Sequence, residues 1–486
     1  MKEVAFPFGL SLKQGFGVLI VLYLITHLPM LNALPLMQDE AVYSIMIEEQ
    51  IENPTLVVTF LGQEVGWKPP LFFWIYGFFV RFIHDLPVPI EAIYRLPGLL
   101  FGMINLFLVY FIFEKLAGRK EGFLAALTYA VIPLPILIDN MVLIDTLVST
   151  FIFAGILCYI YGADKRGLYL LGGLFTLLAY FTKLGVAAMV PILAFVYLFE
   201  KDKKKIIDPL FIVTLLAVPL AMWAFEMSVE HIQPENFSVN QHIAQKAILG
   251  NLDMVNVWKS LFTFFPLTVI WLSASIMGLW KNWKRNLMVT VWYAMIVFPL
   301  IAGSMMPFYF YPVIPPLAYF SLQLFVRDAR GKPKTDRFFL AVFSLVAVLN
   351  LIIAFGSLFA EDYYADQKNA GEFLAGKEDV MIIGDYAPGI FAYKMLNEKR
   401  ENGSWLDYGL VISNSTDNTR EFIIDYNSNH TLVLENFGPL FEHDRIFRKP
   451  SNITEFDYVC IYGDETAEPR GELVFDEKET MIYHMR

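Results

Sequence analysis

Long apolar runs separated by short polar breaks fill the first 360 residues. They lie at 15–36, 96–116, 123–138, 143–161, 168–182, 186–199, 209–224, 260–280, 287–303, 309–326 and 338–360. A bilayer-crossing helix needs about 20 mostly apolar residues, so the pattern predicts about eleven transmembrane helices. After residue 360 the pattern changes. Val380-Met381-Ile382-Ile383, Phe422-Ile423-Ile424 and Thr431-Leu432-Val433-Leu434 alternate with Gly, Asn and Asp turns, as strands of a small α/β domain would. The expected fold is a polytopic α-helical membrane protein over 1–360, followed by a small soluble α/β domain over 361–486.

The polar breaks fix an orientation. Gly118-Arg119-Lys120, Asp164-Lys165-Arg166, Lys201–Lys205, Lys281–Arg285 and Arg327–Arg337 are basic, and they occupy every second loop. Cytosolic loops carry that bias, so the alternate loops and the tail are expected to be extracytosolic. The N-terminus, with Lys2 and Lys13, belongs with the basic loops. No A-x-A-like site follows the first run, which is read as an uncleaved span. Residues 69–83 are apolar but short, and a crossing there would switch every later basic loop to the other face. They are expected to lie in the interface, rich in Trp, Tyr and Phe. The outer loops are then 37–95 and 225–259. All five Asn-x-Ser/Thr sequons, at Asn236, Asn402, Asn414, Asn429 and Asn452, fall on the outer side.

Composition agrees. Of the 486 residues, 56% are hydrophobic and 17% charged, against roughly 25% charged in soluble domains. The net charge of −11 comes from acids crowded in the tail. Cys158 lies in an apolar run and Cys460 in the tail, so no structural disulfide is expected.

Ionisable residues at membrane depth are costly and mark candidate sites. Parity places several near the outer face: Asp39-Glu40 after the first run, Lys68 before two prolines, Arg95 opening the second run, Asp145 opening the fourth, and Lys183 in the turn after the fifth. Each has an ordinary reading as well. Arg95 and Lys183 can snorkel, Asp145 can cap a helix, Asp39-Glu40 can be a solvated pair, and Lys68 can simply precede a helix. Together they supply a carboxylate that can accept a proton and cations that can hold a phosphate. His231 and His242, in the second outer loop, read as structural or acceptor contacts.

At these residues the chain resembles the C-type (GT-C) glycosyltransferases, in the protein O-mannosyltransferase and lipid A aminoarabinose transferase branch. Gln38-Asp39-Glu40-Ala41-Val42-Tyr43 is similar to the D-E-x-x-Y opening of the first outer loop. A Gly-containing stretch with K-P-P-L and an aromatic follows, then Arg95-Leu96-Pro97, Gly118-Arg119-Lys120-Glu121-Gly122, Asp145, and Thr182-Lys183-Leu184-Gly185. Pro307–Pro316 matches a late P-x-Y-x-x-P-x-x-P-P block. The order and spacing carry the resemblance over 37–200, and less of it beyond. The chain departs from the pattern at Val42, Trp67 and Met306, where the family often has Arg, an acid and a basic residue.

The resemblance implies inverting transfer of a sugar from a polyprenyl-phosphate donor, such as dolichyl phosphate mannose, to a protein, glycan or lipid on the extracytosolic face of the cell membrane. It implies Asp39 as general base with Glu40 orienting. Lys68, Arg95, Asp145, Lys183, Tyr43, Tyr309 and Tyr311 would hold donor phosphate and sugar. The acceptor hydroxyl must lose a proton, which calls for a carboxylate, and the leaving phosphate gains charge, which calls for cations. No nucleotide-binding signature is present, and nucleic acid is not an expected partner. No His/Cys cluster with ligand spacing supports a metal, although paired acids can bind a divalent ion. Two alternatives stay open. Trp405-Leu406-Asp407-Tyr408-Gly409 resembles the sequon-reading motif of oligosaccharyltransferases. A transporter or flippase of lipid-linked sugars could also use an acidic pocket, although no paired broken-helix repeat is seen.

Overall fold

The structure is a computed structural model. It describes residues 11–36, 38–60, 63–64, 68–183, 186–230, 266–301, 311–326, 345, 348–349, 352, 365–377, 380–383, 387–402, 408–411, 421–426, 430–435, 458–462, 472–477 and 480–484. Tyr309, His231, His242, Asn236, Asn414, Asn429, Asn452, Trp405–Asp407 and most of 338–360 lie outside them.

In chain order the helices are α1 (Leu12–His27), α2 (Gln38–Glu52), α3 (Leu71–Ile83), α4 (Ile90–Ala117), α5 (Arg119–Tyr129), α6 (Pro133–Ile138), α7 (Ile144–Gly162), α8 (Leu168–Tyr180), α9 (Met189–Lys201), α10 (Pro209–Glu230), α11 (Pro266–Asn282), α12 (Leu287–Ile301), α13 (Ile314–Val326), α14 (Ala365–Leu374) and α15 (Ala387–Asn402). Two compact units emerge. One comprises Met1–Leu31, Gly66–Phe72 and Arg95–Leu358; the other comprises Asn32–Val65, Phe73–Tyr94 and Phe359–Arg486.

The first unit is a helical bundle. Among the described residues three stretches, Leu12–Asn32, Ile90–Ala117 and Ile144–Gly162, are long and apolar enough to cross a membrane, and shorter apolar helices accompany them. Val21 and Ile25 on α1, Leu170 and Leu174 on α8, and Leu216 and Leu220 on α10 face outward from the bundle. Exposed apolar side chains of this kind suit lipid rather than water. The chain is a membrane protein with a mostly helical fold.

Local chemistry explains where the helices start and stop. Ser11 and Gln14 form a capping box that opens α1. The expected single run 123–138 is two helices, α5 and α6. Pro133 lacks the N–H that a continuing helix would need, and it opens α6 instead. The expected 96–116 run starts earlier, at Ile90, so Arg95 stands one turn inside α4 rather than at its start.

The Gly118-Arg119-Lys120-Glu121-Gly122 turn also has a physical basis. Gly118 has φ +112°, a region where a side chain is strained, and a Cβ on Gly122 would stand 2.7 Å from the Tyr110 carbonyl oxygen and the Glu114 nitrogen. The basic turns are latched by ion pairs. Lys115 Nζ lies 2.6 Å from Asp164, and Arg166 holds Asp208 through two nitrogens. The Lys115 and Arg166 hydrogen bonds keep the Asp164 and Asp208 carboxyls below the usual carboxylate range.

Helices α11 and α13 pack closely at Gly278. A Cβ on Gly278 would meet the Phe320 carbonyl oxygen at 1.9 Å. Backbone cannot swing aside as a side-chain tip can, so Gly278→Ala is expected to cost about 1–3 kcal/mol by overpacking. A lowered melting temperature in detergent would show this, and wild-type stability would refute so tight a contact.

The second unit gathers α2, most of α3, the start of α4, α14, α15 and a seven-stranded sheet. Its strands are β3 (Val380–Ile383), β4 (Tyr408–Val411), β5 (Glu421–Tyr426), β6 (His430–Glu435), β7 (Tyr458–Tyr462), β8 (Glu472–Glu477) and β9 (Thr480–His484), numbered after a small hairpin β1 (Thr59–Phe60) and β2 (Gln63–Glu64). The order is β4-β5-β6-β3-β7-β9-β8, with β3 parallel to both β6 and β7 and every other pair antiparallel. The expected strands in the tail correspond to β3, β5 and β6. The sequence reading joined 37–95 to the bundle, whereas the structure groups most of that loop with the tail, through ion pairs between α2 and α15. Helix α3 matches the expected short apolar segment. It buries Phe72, Phe73, Tyr76 and Val80 and leaves Phe78 and Phe82 exposed on its other side.

Candidate functional site

The bundle brings together part of the expected cation set. Asp145 stands in the first turn of α7, where no side chain caps the helix. Its Oδ1 accepts a hydrogen bond from Lys183 Nζ at 2.7 Å, and its side chain is 5% exposed. Asp145 therefore pairs with Lys183, and no side chain caps the helix it opens. Lys183 is half-buried in the turn that follows α8. Just before it, the Phe181 carbonyl accepts from the Leu71 N–H at 3.3 Å. That bond ties the Lys68-Pro69-Pro70 segment to the Lys183 turn. Pro70 has no N–H of its own to give, so Leu71 supplies the first backbone donor at this end of α3.

Arg95 is 2% exposed, and its Nη1 donates to the Leu31 carbonyl at 3.1 Å.

Tyr311 opens the α13 region and is fully buried. Its hydroxyl bonds to Asp139 and to the Tyr129 hydroxyl, and it accepts from Asn105 Nδ2 at 3.3 Å. Asp139 is a residue the sequence reading missed. It lies between two apolar runs and reads as an ordinary loop acid, yet it is fully buried. Tyr23 donates to its Oδ2 at 3.0 Å and Thr146 to its Oδ1 at 3.2 Å, while His27 Nε2 stands 3.5 Å from Oδ2. Tyr23 and His27 inside the first apolar run were the available signal, because polar groups at membrane depth need partners. Thr146 is the neighbour of Asp145 in α7, so this network also anchors the turn that carries the Asp145–Lys183 pair.

Asp39, Glu40 and Tyr43 belong to the second unit, on α2. Asp39 and Glu40 both lie in the helix's first turn, but they differ: Asp39 is exposed and Glu40 is fully buried. Ser44 Oγ donates to the Glu40 carbonyl at 2.8 Å. Tyr43 is buried edge-on against Phe73, with ring centroids 5.8 Å apart. Among the described residues no group of three or more His, Cys, Asp or Glu side chains is placed to hold a metal ion.

Comparisons with known proteins show what the chain is similar to. Residues 67–225 match the family model described as dolichyl-phosphate-mannose-protein mannosyltransferase. That segment contains Lys68, Arg95, Asp139, Asp145 and Lys183. Over 346 residues the chain is 25% identical to the undecaprenyl phosphate-alpha-4-amino-4-deoxy-L-arabinose arabinosyl transferase of Yersinia enterocolitica, covering 63% of this chain and 58% of that relative's length. The fold is similar to the crystal structure of ArnT from Cupriavidus metallidurans bound to undecaprenyl phosphate, with a TM-score of 0.66, 15% identity and 98% of each chain covered. The apo state of the same protein gives a TM-score of 0.66 at 14% identity. The matched segment, the curated relative and the shared fold agree in likeness to GT-C glycosyltransferases of the protein mannosyltransferase and aminoarabinose transferase branch.

Proposed function

We propose that this protein moves a sugar from a polyprenyl-phosphate donor to an acceptor on the extracytosolic side of the membrane, with inversion at the anomeric carbon. One observation carries the reading most directly: the Lys68 segment and the Asp145–Lys183 pair, distant in sequence, are tied together at one end of the bundle. Fixed cations of this kind stabilise a phosphate as it leaves. Related proteins act on, or bind, undecaprenyl phosphate and its sugar conjugates, which supports a lipid-linked donor here.

In the proposed step the acceptor oxygen attacks the anomeric carbon while the bond from that carbon to the phosphate oxygen breaks. The acceptor proton passes to Asp39, and the electron pair leaves with the polyprenyl phosphate. Lys68, Arg95 and Lys183 hold that phosphate. Asp145 fixes Lys183, and Glu40 orients the turn that bears the base. Tyr43, Tyr309 and Tyr311 complete the proposed donor set, Tyr311 through the Asp139 network. The apolar runs support about eleven crossings, and the alternating basic loops support an outer position for Asp39 and the tail.

The deciding experiment uses purified protein in detergent with a panel of polyprenyl-phosphate sugars. Release of polyprenyl phosphate together with a glycosylated acceptor is expected. Intact donor in detergent, combined with movement of lipid-linked sugar across sealed vesicles, would make the protein a transporter instead.

A further inference from the structure

We propose that Tyr393, in the C-terminal part of the chain, is a positioning residue for Asp39. This rests on the reading of Asp39 as the base. A general base must meet its proton within hydrogen-bond reach, so the turn that carries it has to be held still. Asp39 is exposed in the first turn of α2, and the backbone leading into that turn is held from α15.

Tyr393 lies on α15 and is fully buried. Its hydroxyl accepts the Leu36 N–H at 2.6 Å, three residues before Asp39. The same hydroxyl donates to Glu91 Oε1 at 2.8 Å, and that carboxylate pairs with Lys368 of α14 at 2.9 Å. One phenol thus joins the approach to α2 to the buried Glu91 carboxylate and its half-exposed partner Lys368, and each hydrogen bond orients the other.

The far end of α2 is gripped by the same helix. Lys399 of α15 pairs with Glu48 and lies 3.3 Å from Glu52, while Tyr94 donates to Glu48 Oε1 at 2.6 Å. Glu48, Glu91 and Lys399 are all buried. Buried ion pairs add little net stability compared with apolar packing, so their use here favours a specific geometry over strength. Helix α15 acts as a splint along α2, and the C-terminal region takes part in catalysis by placing the acid.

The test uses the full-length protein in detergent, with the lipid-linked donor that wild type consumes. Tyr393→Phe removes both hydrogen bonds and keeps the ring. The expected result is a kcat about 10- to 100-fold lower, because small misplacements of reacting groups cost that much. The KM for donor should stay within about twofold, because the phosphate-holding residues are untouched. A contact that served stability alone would lower the melting temperature and leave kcat per folded molecule unchanged. Wild-type kcat in Tyr393→Phe overturns the proposal. If that variant does not fold, Lys399→Gln, which loosens the far end of α2, carries the same expectation and the same refutation. Asp39→Asn assayed in parallel separates the two readings. An inactive Asp39→Asn beside a fully active Tyr393→Phe sinks the positioning role alone, whereas an active Asp39→Asn removes the base assignment itself.

Discussion

Replacing Asp39 with asparagine is expected to cut sugar transfer by about 10²–10⁴-fold, the usual contribution of a positioned general base. Asparagine keeps the shape and one acceptor oxygen but takes up no proton at neutral pH. Asp39 is preferred over its neighbour on physical grounds. It is exposed at the start of α2, whereas Glu40 is fully buried in the same turn. An exposed carboxylate meets an acceptor hydroxyl more readily than a buried one, so Glu40→Gln is expected to reduce transfer less. Single-turnover kinetics with a radiolabelled donor separates the chemical step from binding, and donor affinity is measured on the same preparations. Wild-type turnover in Asp39→Asn would remove it from the mechanism. Loss of donor binding in that variant would give this acid a sugar- or metal-binding role instead.

The sequence carried the bundle well because a bilayer leaves backbone few choices. Every buried N–H and C=O must be satisfied internally, so apolar runs become helices. The errors fell where a local breaker competed with that rule. Pro133 split one expected run in two, and α4 began six residues before its apolar core, taking Arg95 inside. Among the site residues, the motif positions Lys68, Asp145 and Lys183 were visible because cations and acids are rare at membrane depth. The pairing of Asp145 with Lys183 is set by the folded turn, not by sequence proximity.

The rest was hidden by sequence distance. Nothing near Glu48 announces Lys399, and nothing near Leu36 announces Tyr393. Such contacts exist only once the first outer loop and the tail have folded into one unit. That is also why the expected domain boundary assigned 37–95 to the bundle. Asp139 was hidden differently. Flanked by Ile138 and Asn140, it looks like a solvated turn acid, and only the converging hydroxyls show that the turn is buried.

Asp139→Leu is expected to destabilise the bundle by about 3–5 kcal/mol, the range for removing one partner from a buried charged network. The carboxylate accepts from Tyr23, Tyr311 and Thr146 and lies beside His27, so its loss takes a charged partner from three buried hydroxyls at once. Those groups come from α1, α7 and the α13 region, which makes Asp139 a junction rather than one side of a pair. The site cannot adapt easily, because Gly102 is already so close that a Cβ there would stand 2.2 Å from both Asp139 Oδ2 and the Tyr23 hydroxyl oxygen. Tyr23→Phe offers the comparison. It removes one hydroxyl and leaves the carboxylate with its other donors, and single interhelical hydrogen bonds in membranes average about 0.6 kcal/mol. Asp139→Asn should fall between the two, since its amide keeps one acceptor oxygen while the hydroxyls can turn to accept from its N–H₂. Denaturation of the three variants in the same detergent should therefore rank wild type, Tyr23→Phe, Asp139→Asn and Asp139→Leu in decreasing stability. The junction role fails if Asp139→Leu matches Tyr23→Phe, because the carboxylate would then be worth no more than one of its hydrogen bonds.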